Sequence, residues 1–137
     1  MKIVLNWLRE LVPTDLSADE LGELLTSKGA EVDSIERPWE RLSGVVVARV
    51  IEVRDHPNSD TLCLARVLTG SGELEVVVGV RNMGPGDLVP LAAPGATVLT
   101  QDAPLGAREI RGVVSNGMLC APDEIGVSPS HEGILIL

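Results

Sequence analysis

Aromatic residues are nearly absent from the sequence, which has no Phe, no Tyr and two Trp residues, Trp7 and Trp39. Because 45% of the residues are nevertheless hydrophobic, a core has to be built from Val, Leu, Ile and Ala. Small β barrels that bind single-stranded nucleic acids usually rely on aromatic side chains on which the bases stack. The sequence has no aromatic residue after Trp39. Fourteen Gly and nine Pro residues indicate many tight turns and favour a compact β fold over a helical bundle.

Positive charge is also scarce, with 11 Lys and Arg against 20 Asp and Glu and a net formal charge of −9. From Gly44 to Leu137 there are six Arg and no Lys against eleven acidic residues, a net of −5. Binding to a phosphate backbone needs clustered cations. The composition therefore does not predict general affinity for nucleic acids.

Cysteine is limited to Cys63 and Cys120, and neither belongs to a CxxC pair. We therefore expect two buried free thiols and no zinc site. The opening MKIVLNWLRE is too short and too polar for a signal peptide, and no hydrophobic run is long enough to span a membrane. We expect a cytoplasmic protein without a membrane partner.

The first 38 residues predict a small leader of two short helices and one strand. Asn6 is a candidate cap for the first helix, and Ser17 with Glu20 forms the pattern of a capping box for the second. Glu31–Glu36 alternates loosely between polar and apolar residues and predicts a short strand. Arg37-Pro38 marks a boundary, so the expected domains are 1–38 and 39–137.

From Gly44 onward the sequence predicts a small closed barrel. Turn signals rich in Gly, Pro and Asn separate five β-branched or apolar runs: Val45–Val53, Leu62–Leu68, Leu74–Val80, Leu88–Ala92 and Glu109–Val113. The expected fold class is mainly β, a five-stranded barrel preceded by a short helical segment.

The first predicted strand has apolar residues on both faces. Val45, Val47, Ile51 and Val53 share one face, which Arg49 interrupts. A barrel that stands alone normally has a polar outer face, so we expect something to cover this one. The chain also ends on the apolar run 133–137, and we expect it to be a fragment of a longer protein.

Several segments resemble a known family. MKIVLNWLREL and KGAEVDSIER are similar to the start of the β subunit of bacterial phenylalanyl-tRNA synthetases. Three later segments resemble that subunit's EMAP-II-like tRNA-binding OB domain: VVVARVIEVRDHPNSDTL, VVVGVRNMGPGDLVPLAAPGA, and IRGVVSNGMLCAPDEIGV with HEGILIL. The resemblance covers the whole chain. Stand-alone tRNA-binding proteins and methionyl-tRNA synthetases share the OB domain, but the leader in front of it points to the phenylalanine enzyme.

The resemblance implies a non-catalytic N-terminal fragment of a cytoplasmic class II ligase with two α and two β chains. Such an enzyme uses ATP and Mg²⁺ to join phenylalanine to tRNA(Phe), with its catalytic and metal sites outside this segment. The fragment itself is expected to hold no catalytic residue, cofactor or metal. Its expected partners are the α subunit, the remaining β-subunit domains and, through the parent enzyme, tRNA(Phe).

Candidate tRNA-contacting residues are the barrel arginines and the polar residues of two turns: Arg49, Arg54, Arg66, Arg81, Asn82, Arg108, Arg111, Ser115 and Asn116. Arg108 and Arg111 could bind phosphates or lie beside acidic neighbours on the surface. Ser115 and Asn116 could face RNA or form a tight turn with Gly117. Asn82 could contact a base edge or cap its own turn. Where the family usually has Lys after His-Pro-Asn-x-Asp, this sequence has Thr61.

Two clusters invite a catalytic interpretation. The stretch His56–Val67 combines His, Ser, Asp and Cys, but Pro57 and Asn58 favour a corner between two strands. Asp123 and Glu124 are paired acids at the start of a predicted helical turn, where the helix dipole favours them. Neither cluster has a complete ligand set or a nucleophile with its base.

Two physical roles therefore remain for the barrel: docking to other domains of the same enzyme, and weak contact with tRNA. The acidic balance and the missing aromatics favour docking. The alternative from another class is a stand-alone protein that binds tRNA or single-stranded nucleic acid.

Overall fold

The computed structural model describes all 137 residues, which form two compact units, Met1–Arg37 and Pro38–Leu137. We call them the leader and the barrel and describe each by itself. None of the helices has both the length and the apolar character needed to cross a membrane.

The leader contains helices α1 (Leu5–Leu11) and α2 (Ala18–Ser27). The predicted capping box of α2 is confirmed: Glu20 N donates to Ser17 Oγ at 3.3 Å and Ser17 N donates to Glu20 Oε2 at 2.8 Å. Ser17 N and the Ser17 hydroxyl both donate to the Glu20 carboxylate and lower the pKa of Glu20. The predicted cap at Asn6 is wrong, because Leu8 N already bonds Val4 O and the helix begins at Leu5 without a side-chain cap.

The predicted leader strand at Glu31–Glu36 is also wrong, since these residues form no strand. A strand requires a partner for its hydrogen-bond ladder, and the leader contains no other strand. Ile35 packs against α2 at Gly22, where an added Cβ would lie 3.2 Å from Ile35 Cδ1. Gly22 is the leader's one buried residue.

The barrel is antiparallel and contains seven strands: β1 (Ser43–His56), β2 (Ser59–Thr69), β3 (Gly72–Val78), β4 (Leu88–Thr97), β5 (Arg108–Ile110), β6 (Val113–Ser115) and β7 (Met118–Leu119). The main sheet has the order β3-β2-β1-β4-β7, and β5 and β6 form a separate hairpin. Its outermost strands β3 and β7 contact each other, so the sheet curls toward closure. The prediction of a mainly β fold with a small helical leader and an OB-like module is confirmed.

The single strand predicted at Glu109–Val113 is wrong, because the chain reverses inside it. Arg111 has φ 50° and Gly112 has φ 85°, and Ile110 pairs with Val113. Two successive residues with positive φ form the tight turn that suits the twist of a hairpin. Arg111 is the chain's one non-glycine residue with positive φ.

A bulge in β1 changes which residues face outward. The register with β2 shifts between Val50 and Glu52, and an extra residue exchanges the two faces beyond it. Ala48 and Val50 therefore face the core before the bulge, and Val53 packs against the core after it. The predicted single face that includes Val45, Val47 and Val53 is thus wrong for Val53.

The barrel has two apolar clusters on opposite faces of β4. Leu91 belongs to the main cluster with Val50, Val67, Val76 and Val89. The next residue, Ala92, belongs to a second cluster with Ala96, Val98 and Cys120. Successive strand residues point to opposite faces, so part of the barrel's outer surface is itself covered.

Candidate nucleic-acid interface

The hairpin of β5 and β6 presents two candidate arginines to solvent. Arg108 begins β5 and Arg111 occupies the turn, and both are exposed. Neither guanidinium has a hydrogen-bond or ion-pair partner within the chain. Because an arginine presents a planar set of donors that fits a phosphate, the two unpaired guanidinium groups make this hairpin a candidate anion-binding surface.

The corner between β1 and β2 holds this hairpin in place. His56 Nδ1 accepts from Asn58 N at 3.1 Å, so its Nε2 donates to Ile110 O at 3.1 Å. Asn58 Nδ2 donates to Arg111 O at 2.8 Å. The stretch that first suggested a catalytic site is therefore a corner, as predicted, but His56 ends β1 with a buried ring and does not lie in the turn.

Three other candidate arginines are already paired with acids elsewhere in the barrel. Arg54 bonds Glu75, Arg66 lies 3.1 Å from a Glu52 oxygen, and Arg81 bonds Asp55 at 2.7 Å. A phosphate would have to displace these carboxylates, which weakens any contact with RNA. Exposed ion pairs of this kind contribute about 0–1 kcal/mol each to stability.

Arg49 is exposed, and no carboxylate in the structure pairs with it. It lies on β1 before the bulge and faces away from the core, since its neighbours Ala48 and Val50 face inward. Its neighbours across the sheet are Leu68 on β2 and Leu88 on β4. Both cross-strand neighbours of Arg49 are thus apolar, whereas Arg108 pairs with Ser115.

Ser115 and Asn116 help to close the barrel. Ser115 is buried, and its Oγ accepts from Val77 N at 3.0 Å and donates to Gly117 O at 2.9 Å. Asn116 N donates to Glu75 O at 2.9 Å. Gly117 has φ 133°, and an added Cβ would lie 2.7 Å from a backbone oxygen. Ser115 is thus engaged within the fold, and Gly117 has the positive φ that the turn interpretation requires, whereas Asn116 does not.

Asn82 clamps the last residues of the chain. Its Nδ2 donates to Ile134 O at 2.8 Å, and its Oδ1 accepts from Ile134 N at 3.0 Å. The side-chain amide thus imitates a strand neighbour for this segment. Gly133 fits against it, since an added Cβ would lie 2.9 Å from the amide. These bonds use both ends of the Asn82 amide.

The two thiols are free and buried, as predicted. Burial raises the pKa of Cys63, and the positive charge of the nearby Arg81 partly offsets this increase. Burial and the nearby Glu124 raise the pKa of Cys120 to about 12. Both thiols are therefore poor nucleophiles at neutral pH.

The paired acids of the last loop have structural partners. Glu124 is buried, and its Oε2 accepts from Ala121 N at 2.7 Å. Asp123 Oδ1 lies 2.9 Å from His131 Nδ1, and this hydrogen bond raises the pKa of His131. The structure contains no group of three or more His, Cys, Asp or Glu side chains that could hold a metal ion.

Two clefts differ in their suitability for RNA. A groove of about 660 Å³ in the leader is lined by three acids, Asp19, Glu23 and Asp33, which repel phosphate. A cleft of about 210 Å³ in the barrel is lined by Arg108, Gln101 and apolar side chains. The only cation lining either cleft is thus Arg108 of the hairpin.

An antiparallel sheet of five strands that curls toward closure, as here, is typical of an OB-like binding module. The chain belongs to the family described as "Putative tRNA binding domain", whose model matches residues 45–137. The tRNA-binding domain predicted from the sequence motifs is therefore confirmed over residues 45–137.

Curated relatives extend the similarity to the whole chain. It is 47% identical over 137 residues to the phenylalanine–tRNA ligase β subunit of Geobacter sulfurreducens. The identity is 42% over 147 residues with that of Salinibacter ruber and 41% over 138 residues with that of Symbiobacterium thermophilum. Each alignment covers 100% of this chain but only 15–18% of the relative.

Proposed function

We propose that this chain is a non-catalytic part of a phenylalanine–tRNA ligase β subunit. The observation that carries the proposal is the 41–47% identity to such subunits across the leader and the barrel together. A stand-alone nucleic-acid-binding protein is not favoured, because these relatives are ligase subunits that match the leader as well as the barrel.

In this proposal the complete enzyme is cytoplasmic, contains two α and two β chains, and joins phenylalanine to tRNA(Phe) with ATP and Mg²⁺. The chain contributes a surface to that enzyme and not a reaction step. Its buried thiols, its corner at His56 and its clamped Asn82 are all engaged within the fold. ATP and Mg²⁺ belong to other parts of the ligase.

The first role of the chain is docking to other parts of the enzyme. The leader exposes a series of large apolar side chains, and exposed apolar patches commonly mark interaction surfaces. Helix α1 has no buried residue, and Trp7 is 69% exposed. Such a helix gains most of its stability from a partner that covers its apolar side.

The second role is a weak contact with tRNA through Arg108 and Arg111. Two phosphate contacts give a salt dependence with a slope of about −2 on a double-logarithmic plot. The affinity should then fall about tenfold between 50 and 200 mM salt. The barrel's acid surplus keeps the binding weak.

A tRNA titration tests this role. The 137-residue chain is titrated with tRNA(Phe) at about 50 and 200 mM salt, as wild type and as the double variant Arg108→Gln/Arg111→Gln. The matched control Arg54→Gln/Arg66→Gln changes the net charge equally but removes paired arginines. We expect the hairpin variant to lose most of its affinity and most of the salt dependence.

Equal losses in the two double variants would show that only net charge matters. A wild-type chain that fails to bind at the lower salt concentration would remove the tRNA role. Sub-micromolar affinity that persists at the higher concentration would contradict the primacy of docking.

A further inference from the structure

We propose that the outer face of β1 around Arg49 is a docking surface for a protein segment that carries a carboxylate between apolar side chains. The inference rests on the proposed function in one respect: the chain works inside a larger protein assembly. We call this surface the Arg49 face and define it as Val47, Arg49, Leu68 and Leu88.

The strand register brings these four side chains together. Arg49 pairs with Leu68 of β2 on one side and with Leu88 of β4 on the other. Directly opposed residues in a sheet lie side by side on one face, and Val47 shares that face two residues before Arg49. All four residues are exposed, with Val47 at 57%.

Nearby acids leave Arg49 unpaired because they are engaged elsewhere. Glu73 lies beyond Leu68 in the same row of the sheet, and Arg66 approaches it at 3.8 Å. Asp87 directs its carboxylate to Gly84 N at 2.8 Å. A chain with nearly twice as many acids as cations thus leaves this guanidinium free for a partner's carboxylate.

The apolar surroundings favour a protein partner over RNA. A phosphate gains little from Val47, Leu68 and Leu88, whereas the core of a protein interface combines apolar contacts with arginine. The backbone of Leu137 also reaches this face, since its N bonds Leu88 O. The hairpin arginines have no apolar side chains paired with them across a sheet, since Arg108 pairs with Ser115 and Arg111 lies in the turn.

Thiol labelling tests the Arg49 face. Val47→Cys is introduced into the 137-residue chain and into the intact Geobacter sulfurreducens ligase whose aligned β-subunit segment is replaced by this chain. A thiol reagent labels both, and mass spectrometry follows the peptide that contains position 47. The native thiols Cys63 and Cys120 are buried and react slowly. Val114→Cys, which is 50% exposed on β6, is the matched control.

We expect position 47 to react at least tenfold more slowly in the complete enzyme than in the isolated chain, and position 114 to react equally in both. Adding Arg49→Glu should restore fast labelling at position 47, whereas adding Arg108→Glu should not. The conservative variant Arg49→Lys should retain most of the protection.

Equal labelling of position 47 in the chain and the enzyme overturns the proposal, as does protection that Arg49→Glu leaves unchanged. If labelling of position 47 in the isolated chain slows as the chain concentration rises, the face binds a second copy of this chain. Protection that appears on adding tRNA(Phe) to the isolated chain assigns it to RNA. Both results also overturn the proposal. The tRNA titration is a separate experiment. If it shows that the hairpin does not bind tRNA, the labelling test of the Arg49 face is still valid.

Discussion

The leader and the barrel form their secondary structure in different ways. Helix α2 of the leader begins at a local signal, the box of Ser17 and Glu20, and Gly22 is the leader's one buried residue. The barrel's strands pair over long sequence distances and enclose apolar clusters that include Leu91 and Val98. Local capping is sufficient to define a helix, but only burial of apolar area offsets the entropy of ordering a chain.

The leader's exposed surface shows the consequence of this difference. Eight large apolar side chains are exposed within its 37 residues: Met1, Ile3, Val4, Trp7, Leu11, Val12, Leu24 and Ile35. A unit that buries so little depends on an external partner for stability, whereas the barrel carries its stability within itself.

Separation of the two units gives the largest expected effect. We expect a peptide of residues 1–37 to be mostly unfolded, because ordering costs about 1.5 kcal/mol per residue and little burial opposes it. A fragment of residues 38–137 should unfold cooperatively. Circular dichroism during heating checks both, and a cooperative transition in the short peptide would contradict the comparison.

A smaller effect is expected from replacing two serines whose hydroxyls each accept a hydrogen bond from a backbone N–H, Ser115 in the barrel and Ser17 in the leader. Ser115→Ala leaves Val77 N without its buried acceptor and should lower the barrel's free energy of unfolding by about 1–3 kcal/mol. Ser17→Ala removes an exposed cap and should cost about 1 kcal/mol of α2 stability while leaving barrel unfolding unchanged.

Urea denaturation measures the barrel and amide chemical shifts measure α2. If Ser115→Ala left the urea midpoint unchanged, the hydroxyl would not be part of the closure.

The smallest expected effect is a pH dependence at His131. The Asp123 carboxylate raises the pKa of His131 above its ordinary value of 6.5. This contribution to stability is therefore complete below pH 6.5 and is lost as the pH rises through the folded pKa. Because the ring is exposed, the change in stability should be small.

An NMR titration of the imidazole measures this pKa directly, and Asp123→Asn should lower it. His56 is the control ring, since it bonds backbone groups and not Asp123. Identical His131 pKa values in the wild type and Asp123→Asn would refute the assignment.

The sequence predicted those parts of the fold that depend on neighbouring residues. The capping box, four of the five predicted barrel runs and the positive φ of Gly117 follow from spacing and turn chemistry. The hairpin at Arg111-Gly112 was missed, because Arg rarely adopts positive φ and breaks no apolar run by itself. The leader strand was predicted wrongly for a nonlocal reason, since its pattern could not reveal that residues 1–37 contain no second strand to pair with it.

The candidate site was less predictable, because pairing between distant strands decides which arginines are free. Arg54 and Glu75 are 21 positions apart in the sequence, yet they meet on the barrel surface. Nothing local distinguishes Arg54 from Arg49, which the register places between two leucines. The clamp at Asn82 likewise joins residues 52 positions apart.

The closure of the barrel also affects how the protein behaves at high concentration. An open β3 edge would offer unpaired backbone groups on which another chain could extend the sheet. Ser115 Oγ and Asn116 N form hydrogen bonds with two of these backbone groups, Val77 N and Glu75 O. The turn that completes the fold therefore also blocks edge-to-edge aggregation, and it does so with one hydroxyl and one backbone amide.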